Sequence, residues 1–150
     1  MNFSRQYEVY RKQVEKKLVK VFPARKPEGL YGPADYILSG SGKRLRPVLV
    51  LAACEAVGGK PEKCINAAAA VEMLHNFTLV HDDIMDNADT RRGMETLHKK
   101  HDISTAILVG DSLLAVAYEY LLMDCTGGNI SAVSSFTNGL IEVCEGQSLD

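Results

Sequence analysis

No sign of charge dominates this chain of 150 residues, in which 17 basic residues stand against 19 acidic ones for a net charge of −2. That balance removes the electrostatic case for nucleic acid as the main partner. Cysteine pairs are missing too. Cys54, Cys64, Cys125 and Cys144 are scattered, no CxxC occurs, and each lies beside apolar or small residues. They read as buried thiols in a reducing compartment. The first residues, Met1-Asn2-Phe3-Ser4-Arg5-Gln6, lack the apolar core of a secretory signal. No apolar run approaches the ~18 residues that a membrane span needs. The expectation is a cytoplasmic protein with no membrane span. Internal repeats, low-complexity tracts and a GxxxxGK[ST] phosphate loop are also absent.

What is present is a globular composition, 46% hydrophobic and 24% charged. It fits one domain at most, able to bury roughly 68–70% of its unfolded surface without staples. Tyr7, Tyr10, Val14, Leu18 and Val21 recur three and four apart, which predicts an amphipathic outer helix from Phe3 to Phe22. Pro23, Pro27, Gly29, Gly32 and Pro33 then break the pattern, leaving a short element around Asp35 to Leu38 that ends at Ser39-Gly40-Ser41-Gly42. Pro47 suits a helix N-terminus, and Val48 to Val57 runs apolar to Gly58-Gly59. A helix opening at Pro61-Glu62 and reaching about Asn87 is apolar on nearly every side, so burial all round is expected. Ile103 to Met123, ending at Gly127-Gly128, and a stretch from Ile130 onward complete the pattern. No period-2 strand of convincing length appears, and the fold class is all-α.

The chemistry begins at Asp82-Asp83-Ile84-Met85-Asp86, near the C-terminal end of the predicted buried helix. Asp82 and Asp86 are i and i+4, on one face and about 6 Å apart along the axis, where like charges repel without a counter-ion. A hard divalent cation resolves that repulsion, and Mg²⁺ is commonly held by one or two carboxylates together with substrate phosphates. A solvated acidic helix end is the alternative. The apolar Phe77, Leu79 and Val80 just before the acids favour metal, because the carboxylates then emerge from a core. Arg91-Arg92-Gly93 follows, and Gly42-Lys43-Arg44-Leu45-Arg46-Pro47 precedes. Arginine forks and a compact lysine charge suit a diphosphate gripped beside the metal, although Lys43 to Arg46 taken alone also fits a solvated loop.

Three motifs in this order and spacing resemble the trans-isoprenyl diphosphate synthases: the Gly42 to Pro47 run, then Glu72-Met73-Leu74-His75-Asn76-Phe77-Thr78-Leu79-Val80-His81, then the DDxxD run followed by Asn87-Ala88-Asp89-Thr90-Arg91-Arg92-Gly93. The likeness extends from about Tyr36 to Gly146-Gln147-Ser148-Leu149-Asp150, which resembles a GQxxD segment. It implies an all-α bundle around a deep cavity, of which residues 1–150 are the N-terminal half. The second aspartate motif lies outside this sequence. By the same likeness, Asp82 and Asp86 ligate Mg²⁺, with Asp83 behind them, and Arg91 contacts the allylic diphosphate. Lys43, Arg46, His75 and Arg92 bind the diphosphate of isopentenyl diphosphate. His75, seven residues before Asp82 on approximately the same face, is expected to reach that site. His81, His98 and His101 are left as structural or surface residues. Gln147 and Asp150 match later polar positions, and Gly110-Asp111 suits either support of the site or helix packing.

The implied enzyme is a prenyltransferase of isoprenoid biosynthesis that condenses isopentenyl diphosphate with dimethylallyl, geranyl or farnesyl diphosphate. No side-chain nucleophile is needed, in keeping with the lack of Ser-His-Asp or Cys-His arrangements. A terpene cyclase also uses DDxxD, but it has no second diphosphate for Lys43, Arg46 and Arg92 to hold. A non-catalytic or truncated subunit that binds substrate or a catalytic partner is the other reading. Phe77 and Thr78, one turn before Asp82, would floor the product cavity. By resemblance to family members with a single aromatic there, the C20 product, geranylgeranyl diphosphate, is expected, with the C15 product, farnesyl diphosphate, second. The alternative is that Phe77 is ordinary core packing. Exposed apolar faces around Val48 to Val57 and Ile103 to Met123 point, with the resemblance, to a homodimer of the complete chain.

Overall fold

The computed structural model describes residues 3–125 and 130–149. Gly127-Gly128 as a helix stop and Asp150 as a site residue fall outside them. Helix α1, Phe3–Leu18, buries Tyr10, Val14 and Leu18 and ends one turn earlier than its apolar spacing predicts. Val21 and Phe22 are buried all the same, carried inward by the tight turns Lys20 N–H to Lys17 O and Val21 N–H to Leu18 O. Helix α2, Glu28–Leu38, is longer than the expected element at Asp35. It runs straight through Gly29, Gly32 and Pro33, because burial of Pro33, Ala34 and Leu38 outweighs their poor helix propensity. Helix α3, Leu45–Ala56, has Pro47 in its first turn, as the pattern predicts.

After a 3₁₀ turn at Pro61–Cys64 comes α4, Ile65–Met85, and after α4 a hairpin of β1, Thr90–Arg91, and β2, Met94–Glu95. Two residues per strand leave no alternation to read, so the hairpin is invisible in the sequence; the fold is nonetheless all-α. Helix α5, Leu97–Lys100, leads to α6, Ile103–Asp124, capped by Asp102, which accepts from Thr105 N–H at 2.8 Å. Helix α7 is Ile130–Gln147.

The core lies where α4 runs against α6, flanked by α1, α2 and α3. Ala68, Ala69 and Ala70 of α4 and Ala106, Val109 and Ala117 of α6 are all fully buried, and small side chains on both helices let the two backbones approach closely. The pair is antiparallel. Asp124 at the end of α6 accepts from Ala67 N–H at 2.8 Å and from Asn66 at 2.6 Å, capping the start of α4. By length and composition α6 is apolar enough to cross a bilayer, although Asp111 and Glu119 interrupt its apolar run; here it is a core helix, with Val109, Gly110 and Leu113 buried against α4.

Two expectations are corrected. Helix α4 is not buried all round: Leu74, Phe77, Thr78 and Ile84 are half-buried and Met85 is exposed, because its C-terminal half borders open clefts. The cysteines are not buried either, since Cys144 is exposed and Cys54, Cys64 and Cys125 are half-buried. Apolar neighbours in sequence do not place a residue on the inner face of its helix. Helix α7 buries only Phe136, edge-on to Tyr118 at 5.1 Å, and leaves Ile130, Ile141 and Val143 in the open.

Candidate functional site

Three acids occupy the last turn of α4, the end where the helix macrodipole is negative and further negative charge is unfavourable. Asp83 is buried and resolves its charge through Arg91, whose Nε donates to Oδ1 at 2.5 Å. The hairpin makes this contact possible. Asn87, at φ 51°, ends the helix, and Arg92 and Gly93, at φ 54° and 78°, form the tight reversal that turns Arg91 back onto Asp83. Among the described residues no ion pair or hydrogen bond reaches the side chains of Asp82 or Asp86. Burial holds the Asp82 carboxyl above its ordinary value; Arg91 pulls it down, and Asp86 and Asp83 push it up again.

A donor set of this kind fits one magnesium ion. Two carboxylates one helical turn apart repel each other and lack a protein cation of their own. Mg²⁺ asks for only one or two carboxylates when substrate phosphates and water complete its shell. No cluster of three or more His, Cys, Asp or Glu positioned for a metal occurs among the described residues.

Two clefts open beside α4. The first, of about 500 Å³, is lined by Lys43, Arg46, His75 and Arg92 together with Gly42 and Glu72. The four residues expected to hold one diphosphate therefore come together around one hollow, from the α2–α3 loop, the start of α3, the middle of α4 and the hairpin. Arg46 and His75 approach to 3.4 Å. Burial first, then Arg46, hold the His75 imidazole below its ordinary value, with Glu72 opposing and Arg92 and Arg91 adding to the effect. The cleft is a concentration of positive charge with little built-in neutralisation, the electrostatic signature of an anion site.

Arg44 is what shapes this loop. It sits in the left-handed region at φ 50°, and its buried guanidinium donates to Glu72 Oε1 at 2.7 Å, to Leu38 O at 2.8 Å and to Gly40 O at 2.6 Å. The end of α2 is thereby tied to α4, and Lys43 and Arg46 on either side remain exposed. Tyr7 of α1 adds a hydrogen bond to Lys43 O. Gly42 permits the crossing, since a Cβ there would lie 2.9 Å from the Arg92 guanidinium. Arg44 therefore does not join Lys43 and Arg46 as an open cation of the Gly42 to Pro47 run; the available signal is a lone acid, Glu72, amid the apolar residues of α4, which requires a buried counter-charge.

The second cleft, of about 400 Å³, lies between α4 and α7 and is walled by Phe77, Thr78, His81, Asp82, Met85, Val143 and Gln147. Phe77 and Thr78 line the same hollow as Asp82, and the Thr78 hydroxyl is spent on His75 O at 2.8 Å, which keeps that wall apolar. His81 belongs to this wall and is not a bystander. Its ring packs on Phe77 at 4.6 Å, donates from Nδ1–H to Phe77 O at 3.0 Å, and faces Asp111 at 3.6 Å. Gly110 leaves room for it, because a Cβ there would fall 2.4 Å from the imidazole.

Some expected residues are set apart. Asp86 is exposed at the helix end and lies outside the second cleft, and Arg91 is engaged with Asp83. Arg91 nevertheless stands between the two regions, for its charge acts on both Asp82 and His75. His75 and Asp82 share a face about 10 Å apart along the axis but border different clefts.

The site is thus an acidic helix end set beside a basic cleft and an apolar one on an all-α scaffold. Over residues 27–150 the chain matches the polyprenyl synthetase family, and it belongs to that family. It is similar to the geranylgeranyl pyrophosphate synthase of Geoglobus acetivorans, 49% identical over 141 residues, which cover 93% of this chain and 44% of that protein. The geranylfarnesyl diphosphate synthase of Natronomonas pharaonis is 37% identical over 160 residues, with coverage of 93% and 46%. The solved geranylgeranyl pyrophosphate synthetase from Pyrococcus horikoshii superposes with a TM-score of 0.88 at 38% identity, covering 97% of this chain and 45% of that one. The chain thus spans less than half the length of these relatives.

Proposed function

We propose that the complete protein is a short-chain prenyltransferase that joins isopentenyl diphosphate to an allylic diphosphate and makes geranylgeranyl diphosphate. The carrying observation is the juxtaposition along α4 of a basic cleft, a pair of unpartnered carboxylates and an apolar cleft. The names of the similar proteins support the same substrate class.

Lys43, Arg46, His75 and Arg92 bind the diphosphate of isopentenyl diphosphate and hold its double bond toward the second cleft. Asp82 and Asp86 hold Mg²⁺, which when bound offsets the charge gathering on the departing allylic diphosphate. Arg91, between the two regions, contributes fixed positive charge where negative charge develops. Phe77, Thr78 and Met85 exclude water from the ionising carbon and receive the growing chain. The double bond of isopentenyl diphosphate attacks that carbon as its bond to diphosphate breaks, a proton of the resulting cation passes to the released diphosphate, and the product is longer by one isoprene unit. Phe77 is the first floor of the cavity, and a single ring beside Thr78 leaves depth for the C20 chain. The apolar side chains left open on α6 and α7 support a homodimer.

The test is steady-state kinetics of the complete protein with Lys43→Ala and Arg46→Ala. Each variant should raise KM for isopentenyl diphosphate at least about tenfold more than KM for the allylic substrate, as loss of one charge-assisted contact implies. Equal effects on both substrates would remove these residues from the assigned site.

A further inference from the structure

Far from both clefts, the end of α3 and the turn before α4 bring two thiols into contact. Cys64 Sγ donates a hydrogen bond to Cys54 Sγ at 3.2 Å. The intervening chain is built for this approach. Gly58, at φ 81°, turns it back, with its N–H bonded to Glu55 O at 2.9 Å, and Gly59 N–H bonds to Cys54 O at 2.8 Å. A Cβ on Gly59 would lie 2.7 Å from Cys54 Sγ, so the glycine packs directly on that sulfur. The 3₁₀ turn at Pro61–Cys64 then delivers Cys64 to the same spot.

We propose that Cys54 and Cys64 are a thiol-modification site that closes to a reversible disulfide when the protein meets a small-molecule disulfide. A bond of about 2.05 Å asks the sulfurs to close by little more than 1 Å, and the fold has already met the entropy of bringing them together. The reaction balances by thiol–disulfide exchange. The Cys54 thiolate attacks one sulfur of RSSR, forming Cys54–S–SR and releasing RS⁻. Cys64 then attacks the Cys54 sulfur, passing its thiol proton to the RS⁻ already released and expelling a second RS⁻. The two protons lost by the cysteines end on two RSH molecules; the protein dithiol is oxidised and the external disulfide is reduced.

The order of attack follows from the surroundings. Burial, then the contact with Cys54, push the Cys64 thiol up to about 11, with Asp124 adding to the effect. Cys64 stays protonated at neutral pH as the donor, and Cys54, the half-buried acceptor, starts the exchange.

The experiment treats the complete protein with oxidised glutathione, natively and in urea, blocks remaining thiols, and maps tryptic peptides without reduction. Cleavage after Lys63 separates the two cysteines, so a bridge appears as a linked pair of peptides. We expect that pair to form natively, at least about tenfold faster than in urea, to vanish on treatment with dithiothreitol, and to persist in a Cys125→Ser/Cys144→Ser variant. In Cys64→Ser, Cys54 should carry a glutathione adduct. Glutathione adducts without a Cys54–Cys64 link in the native protein, or a link formed no faster natively than in urea, would overturn the proposal.

Discussion

Replacing Arg44 by Met should unlock the basic cleft from behind. Arg44 and Glu72 are 5% and 3% exposed as side chains and meet at 2.7 Å, and the same guanidinium satisfies Leu38 O and Gly40 O. Removing one partner of a buried pair costs about 3–5 kcal/mol, because the other charge stays buried and uncompensated. At a urea m-value of about 1–3 kcal/mol/M, this is a fall in midpoint of roughly 1–5 M, readable by circular dichroism of the complete protein. Arg44→Met/Glu72→Met removes the stranded carboxylate and should be more stable than Arg44→Met alone, though below the parent because two carbonyls lose their donor. Arg44→Met within about 1 kcal/mol of the parent, or a double variant as unstable as the sum of the singles, would refute the argument that this pair anchors the loop.

Three further outcomes are expected. Gly110→Ala should cost about 1–3 kcal/mol by driving a Cβ into His81, and His81→Ala in the same chain should recover most of it; equal midpoints for Gly110→Ala and the parent would contradict the packing. His75 is held below its ordinary 6.5 by burial and Arg46, so the unfolded chain takes the proton first. Its contribution to stability is therefore intact above pH about 6.5 and lost as pH falls below that toward the folded value. His75→Gln should flatten this decline in urea midpoints, and bound inorganic diphosphate should raise the His75 value followed by NMR; parallel stability curves and no NMR shift would count against it. Phe77→Ala should lengthen products and Thr78→Phe shorten them, as read by chromatography of the dephosphorylated alcohols; an unchanged distribution in both would leave the floor elsewhere.

Much of the scaffold was legible because one-faced apolar spacing survives wherever a helix meets both core and water, as in α1, or because a long apolar run carries a buried strip in any register, as at Ala106, Val109 and Leu113 of α6. Helix α2 was hidden by Gly29, Gly32 and Pro33, whose local preferences were overruled by burial. The hairpin was hidden because its information lies in backbone signs at Asn87, Arg92 and Gly93 and not in alternation. At the site, the grouping of Lys43, Arg46, His75 and Arg92 rests on the likeness of their motifs to the trans-isoprenyl diphosphate synthases, and the four line one cleft. Charge alone did not reveal that Arg44, between two exposed cations, turns inward to Glu72. His81 was passed over as structural because a histidine beside a carboxylate has no distinctive spacing; Gly110, an unexplained glycine within a strong helix, was the mark of its partner across α4 and α6.

The most direct measurement follows conversion of farnesyl diphosphate and labelled isopentenyl diphosphate by the complete protein with saturating Mg²⁺. The parent should form geranylgeranyl diphosphate, and Asp82→Ala and Asp86→Ala should each lower kcat by about 100-fold or more, with folding unchanged by circular dichroism. Turnover equal to the parent in both variants, or no condensation by the parent itself, would contradict the account.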